Sequence, residues 1–177
     1  MVFPDNLKVK YLPTIEQKNR FDLLRKIIII FEERHIKYFV VGGYGLDGLY
    51  GELTRDHDDI DMIIDSDNLN GAQTILSELG FKREADKPSG LEVYLHDKTN
   101  TKLEMANLKL IKEMFRIDEE RLTSQTTDTY LSGLFLRVIN LEGQKLIRAI
   151  QDKRFGQQIG LKIIHDEMII KKLEQRK

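Results

Sequence analysis

Two aspartates stand two residues apart at positions 59 and 61, inside a stretch, 58–64, that alternates in character. Ile60, Met62 and Ile64 fall on one side of an extended chain, and Asp59, Asp61 and Ile63 fall on the other. Two carboxylates then leave the same face of a strand, with Cβ atoms roughly 6–7 Å apart, twice the rise per residue. Such a pair can serve one pair of metal ions. Magnesium takes oxygen ligands, keeps several waters, and is held by one or two carboxylates together with the phosphates of its substrate. In phosphoryl and nucleotidyl chemistry two such ions bind the attacking oxygen and neutralise charge on the departing group. A third carboxylate would complete the shell or take the proton from the attacking group. Glu104 is the first candidate, because Leu103 and Met105 flank it on a predicted strand and leave it on the opposite face. Glu92, also set between apolar residues, is the second. Gly42 and Gly43 follow one predicted strand and precede a predicted helix, where missing side chains would let backbone N–H groups approach a polyphosphate. Arg55 and His57, just upstream of the acid pair, could add positive charge or hydrogen bonds around a triphosphate.

These residues need elements to position them. The spacing of Ile15, Phe21, Leu24, Ile27, Ile28 and Phe31 predicts an amphipathic helix over 14–34. A β-branched and aromatic run at 36–41 predicts a strand ending at the double glycine, with a helix from Tyr44 to about Gly51. Beyond the aspartate strand, Ser66 or Asp67 can cap a helix running to Leu79, with Gly80 at its C-terminal end. Strands are expected at 81–84, 91–96 and 101–107, the last two joined as a hairpin through the turn-like Asp97-Lys98-Thr99-Asn100. A strand pair or edge element is expected at 130–139, and helical spacing dominates 141–177. The expected architecture is α/β, a small mixed twisted sheet with helices packed chiefly on one face and a helical C-terminal part. One domain is expected over 1–177, with a catalytic core at about 14–110 and the C-terminal part at about 111–177.

Composition narrows the function classes. The 177 residues are 41% hydrophobic and 32% charged, with a net charge of −1, so no overall field draws the chain to nucleic acid or anionic lipid. There is no cysteine, which removes disulfides, thiolate zinc sites and thiol nucleophiles, and fits a cytoplasmic setting as the expected compartment. The apolar run 27–31 is too short to cross a bilayer, and no membrane partner is expected. His35, His57, His96 and His165 show no metal-ligand spacing. The P-loop and nucleophile-elbow patterns do not occur. Lys171, Lys172, Arg176 and Lys177 read as a solvated helix end, a basic tail that could touch RNA.

Taken singly, each motif also has an ordinary structural reading: an Asp-x-Asp on a solvated strand, a plain glycine turn, a surface arginine. Their order carries the weight. Val40-Val41-Gly42-Gly43-Tyr44-Gly45-Leu46-Asp47, followed by Leu53-Thr54-Arg55-Asp56-His57-Asp58-Asp59-Ile60-Asp61, resembles the signature of the polymerase-β-type nucleotidyltransferase superfamily. Within it the pattern is most similar to aminoglycoside and lincosamide nucleotidyltransferases. The resemblance covers the first third of the chain strongly and reaches Glu104 more weakly. It implies a nucleotidyltransferase fold and transfer of a nucleotide from an NTP, such as ATP, to a hydroxyl, with a small-molecule acceptor, antibiotics included, favoured over tRNA or protein. It implies Mg²⁺, two ions, on Asp59 and Asp61, with Glu104 as third carboxylate or general base, and nucleotide phosphates at Gly42 and Gly43. Asp47 would brace its helix, and Lys162-Ile163-Ile164-His165-Asp166 is the nearest analogue of the basic residue and aspartate found near the family's C-terminal helix. A catalytically retired nucleotide-binding or partner-binding module is the alternative from another class.

Overall fold

The structure is a computed structural model that describes residues 11–84, 91–115, 125–155 and 160–176. Helix α1 (Ile15–Glu33) starts at Thr14, whose side chain accepts the Gln17 N–H and so satisfies one of the helix's unpaired donors. It is followed by β1 (Tyr38–Val41), α2 (Gly42–Tyr50) and β2 (Asp59–Ile64). A 3₁₀ turn (Ser66–Asn68) leads into α3 (Leu69–Glu78), and β3 (Phe81–Arg83), β4 (Glu92–His96), β5 (Thr101–Asn107) and α4 (Leu108–Phe115) come next. The hairpin β6 (Thr126–Leu131) and β7 (Leu134–Ile139) precedes α5 (Leu141–Phe155) and α6 (Leu161–Glu174).

Seven strands form one mixed sheet in the order β3-β4-β5-β2-β1-β7-β6. Strand β2 runs antiparallel to β1 and parallel to β5, and β7 lies parallel to β1. The 126–139 segment is therefore a complete hairpin that adds one inner strand and one edge strand.

One face of the sheet carries the larger core. Val40, Ile60, Met62, Ile64, Leu103 and Met105 are buried there against Phe21, Leu24, Ile27, Ile28 and Phe31 of α1 and Ala72, Ile75 and Leu76 of α3. On the other face a smaller cluster joins Val41, Ile63 and Ala106 to Leu108 and Ile111 of α4 and Ile147 of α5. Asp59, Asp61 and Glu104 share the face of that second cluster, because their strands alternate.

Two local expectations change. The second helix begins at Gly42 itself, so the double glycine is its first turn and not a loop ahead of it. Asp65, rather than Ser66 or Asp67, supplies the side-chain cap, accepting the Asp67 N–H at the start of the 3₁₀ turn. Among the described residues no helix is long and apolar enough to cross a membrane.

Ile60, fully buried between the two aspartates, anchors β2 in the larger core. Ile60→Ala is expected to lower unfolding free energy by about 2–5 kcal/mol, the usual cost of a buried aliphatic truncation. Urea denaturation measures it, and a loss under about 1 kcal/mol would mean the strand is not seated as described.

Candidate active site

The acids meet through strand pairing. Asp61 lies directly opposite Glu104 in the parallel β2–β5 ladder, and Asp59 lies opposite Lys102. Neighbouring strands are about 4.8 Å apart, so four charged side chains occupy a small patch of one face. Within it, Lys102 Nζ sits 2.5 Å from Glu104 Oε1. Asp61 also pairs with Val41, the residue just before the double glycine, across the antiparallel β1–β2 ladder.

That pairing brings the start of α2 against the acid. Gly42 has φ +64°, a backbone region that favours glycine, and a Cβ there would overlap Asp61 Oδ2. A Cβ on Gly43 would collide with His57 Nδ1 and come 2.7 Å from an Arg55 guanidinium nitrogen. The positive end of the helix dipole thus faces the acids.

Several residues expected at the site from sequence have protein partners in the structure. The Gly42 N–H, expected to face phosphate, donates to Gln144 Oε1 of α5 at 3.2 Å. His57 is buried; its Nε2 lies 2.6 Å from Asp47 Oδ2, its ring packs on Tyr44 at 4.3 Å, and its N–H donates to Gln17 Oε1. It braces the loop between α2 and β2. Arg55 is engaged too, holding both carboxylate oxygens of Asp166 at 2.9 and 3.2 Å and donating to the Asp56 carbonyl. Glu92 stands on the opposite face of the sheet, in register with Met105, where it accepts from Gln73, Tyr94 and Arg83. That position excludes it as the third carboxylate. The basic C-terminal end is not simply solvated: Arg176 lies 4.1 Å over the Tyr50 ring and donates to the Tyr50 carbonyl. Lys177 lies outside the described residues.

Asp47 is the brace the sequence suggested, and more. Buried in α2, it accepts from both the N–H and the hydroxyl of Thr54 as well as facing His57. Thr54 in turn meets His165 Nε2 at 2.9 Å. Since the Thr54 hydroxyl donates to Asp47, His165 supplies the proton of that contact. Burial is the main cause that holds the His165 imidazole below its ordinary value of 6.5, and the nearby Arg55 charge adds to it. Burial also pushes the Tyr44 phenol well above its ordinary value, so it stays neutral while accepting from Gln17. Gln17, Lys102 and Gln144 are residues not singled out from the sequence. Only Lys102, two positions before a strand-borne acid, left a signal, since i and i+2 share a face.

The residues suit a divalent cation by chemistry, and less so by their present rotamers. The donors are all carboxylate oxygens, the set magnesium prefers, and side-chain-free Gly42 leaves room for Asp61. Yet among the described residues no three His, Asp or Glu side chains converge closely enough to hold an ion as they stand. Glu104 is turned along its own strand to Lys102.

A mixed sheet with paired acids beside a glycine-opened helix defines a nucleotidyltransferase fold, and solved structures agree. The solution structure of the antibiotic-resistance factor ANT(2'')-Ia superposes with a TM-score of 0.69 at 18% identity, covering 87% of this chain and 83% of that one. The lincomycin-bound lincosamide antibiotic adenylyltransferase LnuA superposes with a TM-score of 0.63 at 21% identity, covering 89% and 96%. The chain belongs to the aminoglycoside-2''-adenylyltransferase family, whose model matches residues 23–148. A lincosamide resistance protein of Staphylococcus haemolyticus is 34% identical over 68 residues, which are 38% of this chain and 42% of that protein. The matched segment thus spans less than half of that relative.

The depressed His165 value sets a pH dependence. The folded state prefers neutral His165, so its contribution is fully present above pH 6.5 and is lost as pH falls through the lower folded value. The stability advantage of the wild type over His165→Gln is therefore expected to shrink on acidification from neutrality. Urea unfolding at a series of pH values checks this, and an advantage that grows as pH drops would contradict the assignment.

Proposed function

We propose that this protein transfers a nucleoside monophosphate from an NTP, ATP first among donors, to a hydroxyl of a small-molecule acceptor, and that the reaction depends on magnesium. The observation that carries the reading is the register of β2 with β5. It sets Asp61 against Glu104, with Asp59 on the same face and the positive end of α2 alongside.

In this reading Asp59 and Asp61 hold the metal. Magnesium, when bound, supplies positive charge at the phosphorus under attack and at the leaving pyrophosphate. Glu104 takes the proton of the acceptor hydroxyl, and the freed oxygen attacks the α-phosphorus as the bond to pyrophosphate breaks. The buried Asp47–His57 pair with Thr54, and the Arg55–Asp166 pair, fix the loop that delivers Asp59 to the sheet. Precise placement of this kind is where much of the rate of such a transfer originates.

Family membership and the likeness to a lincosamide resistance protein support an aminoglycoside or a lincosamide as the acceptor class.

Transfer of label from α-³²P-ATP, with the other three NTPs in parallel, to a panel of aminoglycosides, lincosamides and total tRNA tests the proposal. Label is expected on a drug and not on tRNA. Glu104→Gln is expected to lower kcat by roughly 10²–10⁴-fold. Asp61→Asn should cost at least about 10²-fold, by loss of charge aimed at the transition state. Folded variants that keep wild-type turnover would remove the mechanism, and label found on tRNA alone would replace the acceptor class.

A further inference from the structure

Lys102 puts a cation inside the acid patch. It precedes Glu104 by two residues on β5, so both side chains leave the same face, and its register partner on β2 is Asp59. Its ammonium lies 2.5 Å from Glu104 Oε1. Three carboxylates and one lysine thus form a rectangle across two parallel strands: Asp59 beside Lys102, and Asp61 beside Glu104.

Two properties separate the partners. The Glu104 side chain is 13% exposed and has little freedom to leave the face, whereas the Lys102 side chain is 38% exposed, on a flexible stem that reaches solvent. Like charges directly opposite on neighbouring strands repel, and an ammonium relieves that repulsion where no other cation does so. The same ammonium opposes entry of a second cation, since a positive charge a few ångströms away raises the electrostatic cost of a divalent ion.

We infer that Lys102 is an internal counter-ion that competes with the divalent metal for Glu104 and makes metal binding depend on nucleotide. With the phosphates of an NTP present, the lysine has an alternative anionic partner, and Glu104 is released to the metal or to the acceptor hydroxyl. The inference rests on the metal-dependent reading above.

The test follows Mn²⁺ as a magnesium substitute by electron paramagnetic resonance of the free ion, with the whole chain, with and without α,β-methylene-ATP, protein binding being the loss of signal beyond that given by the same analogue concentration without protein. Wild type is expected to bind Mn²⁺ weakly alone and more tightly with the analogue. Lys102→Met and Lys102→Gln are expected to bind Mn²⁺ at least about fivefold more tightly than wild type without nucleotide, and to gain less from the analogue. Lys102→Arg, which keeps the charge, should behave as wild type. A lysine that only steadied the sheet would move the unfolding midpoint and leave Mn²⁺ affinity alone. Equal or weaker Mn²⁺ binding by both neutral variants, beside analogue-dependent binding in wild type, overturns the inference and leaves the nucleotidyl-transfer reading standing. No Mn²⁺ binding by any form, with or without the analogue, overturns both.

Discussion

The parallel pairing of β2 with β5 is the constraint on which the site depends. It makes neighbours of Asp61 and Glu104, residues 43 positions apart in sequence, and it does so at an energetic cost, because two carboxylates facing each other across a ladder repel. The surroundings answer that cost from several directions. Lys102 stands on Glu104, and α2 begins against Asp61 with its positive end. The close approach of α2 is possible only because its first residue has no side chain and adopts a positive φ. Register, glycine and helix dipole are therefore one arrangement, and a change in any of them disturbs the acids.

A second layer keeps the arrangement in place. The 51–58 segment between α2 and β2 has few apolar residues to pack, and it is held by polar contacts instead. Asp47 gathers Thr54 and His57, Gln17 reaches from α1 to the His57 N–H and to Tyr44, and Asp166 takes the Arg55 guanidinium. Buried polar groups that are mutually satisfied specify one geometry, since any partial rearrangement leaves a donor or acceptor unpaired. Such a network explains how a loop gains the precision of a strand at the point where it hands Asp59 to the sheet.

The sequence made this site legible in proportion to how local its determinants are. Alternation along 58–64 revealed which face the aspartates share, because strand periodicity is a property of consecutive residues. The same rule placed Glu104 correctly on its strand face. It could not decide between Glu104 and Glu92, since both sit between apolar neighbours. The choice depends on antiparallel register between β4 and β5, which aligns Glu92 with Met105 on the core side. The protein partners of Arg55 and His57 were not legible for a related reason. Each is settled by which polar group lies nearest in space, and in the case of Arg55 the nearest carboxylate is 111 residues away.

That distance bears on how the chain is built. Gln144 of α5 takes the Gly42 N–H and also donates to the Ile139 carbonyl, while His165 and Asp166 of α6 hold Thr54 and Arg55. Both C-terminal helices therefore grip the two segments, glycine turn and pre-strand loop, that frame the acid pair. The apolar contacts point the same way, with Ile169 of α6 and Leu141 of α5 packed on Leu46 of α2. Helices that only covered the sheet would need such apolar contacts and nothing more. The added polar grips, charged in the case of Arg55 and Asp166, tie α5 and α6 to the segments that position Asp61 and Asp59, so displacing either helix would leave polar groups there to be re-paired. The helical C-terminal part is thus coupled to the acids through position, and its docking and the geometry of the site are expected to change together.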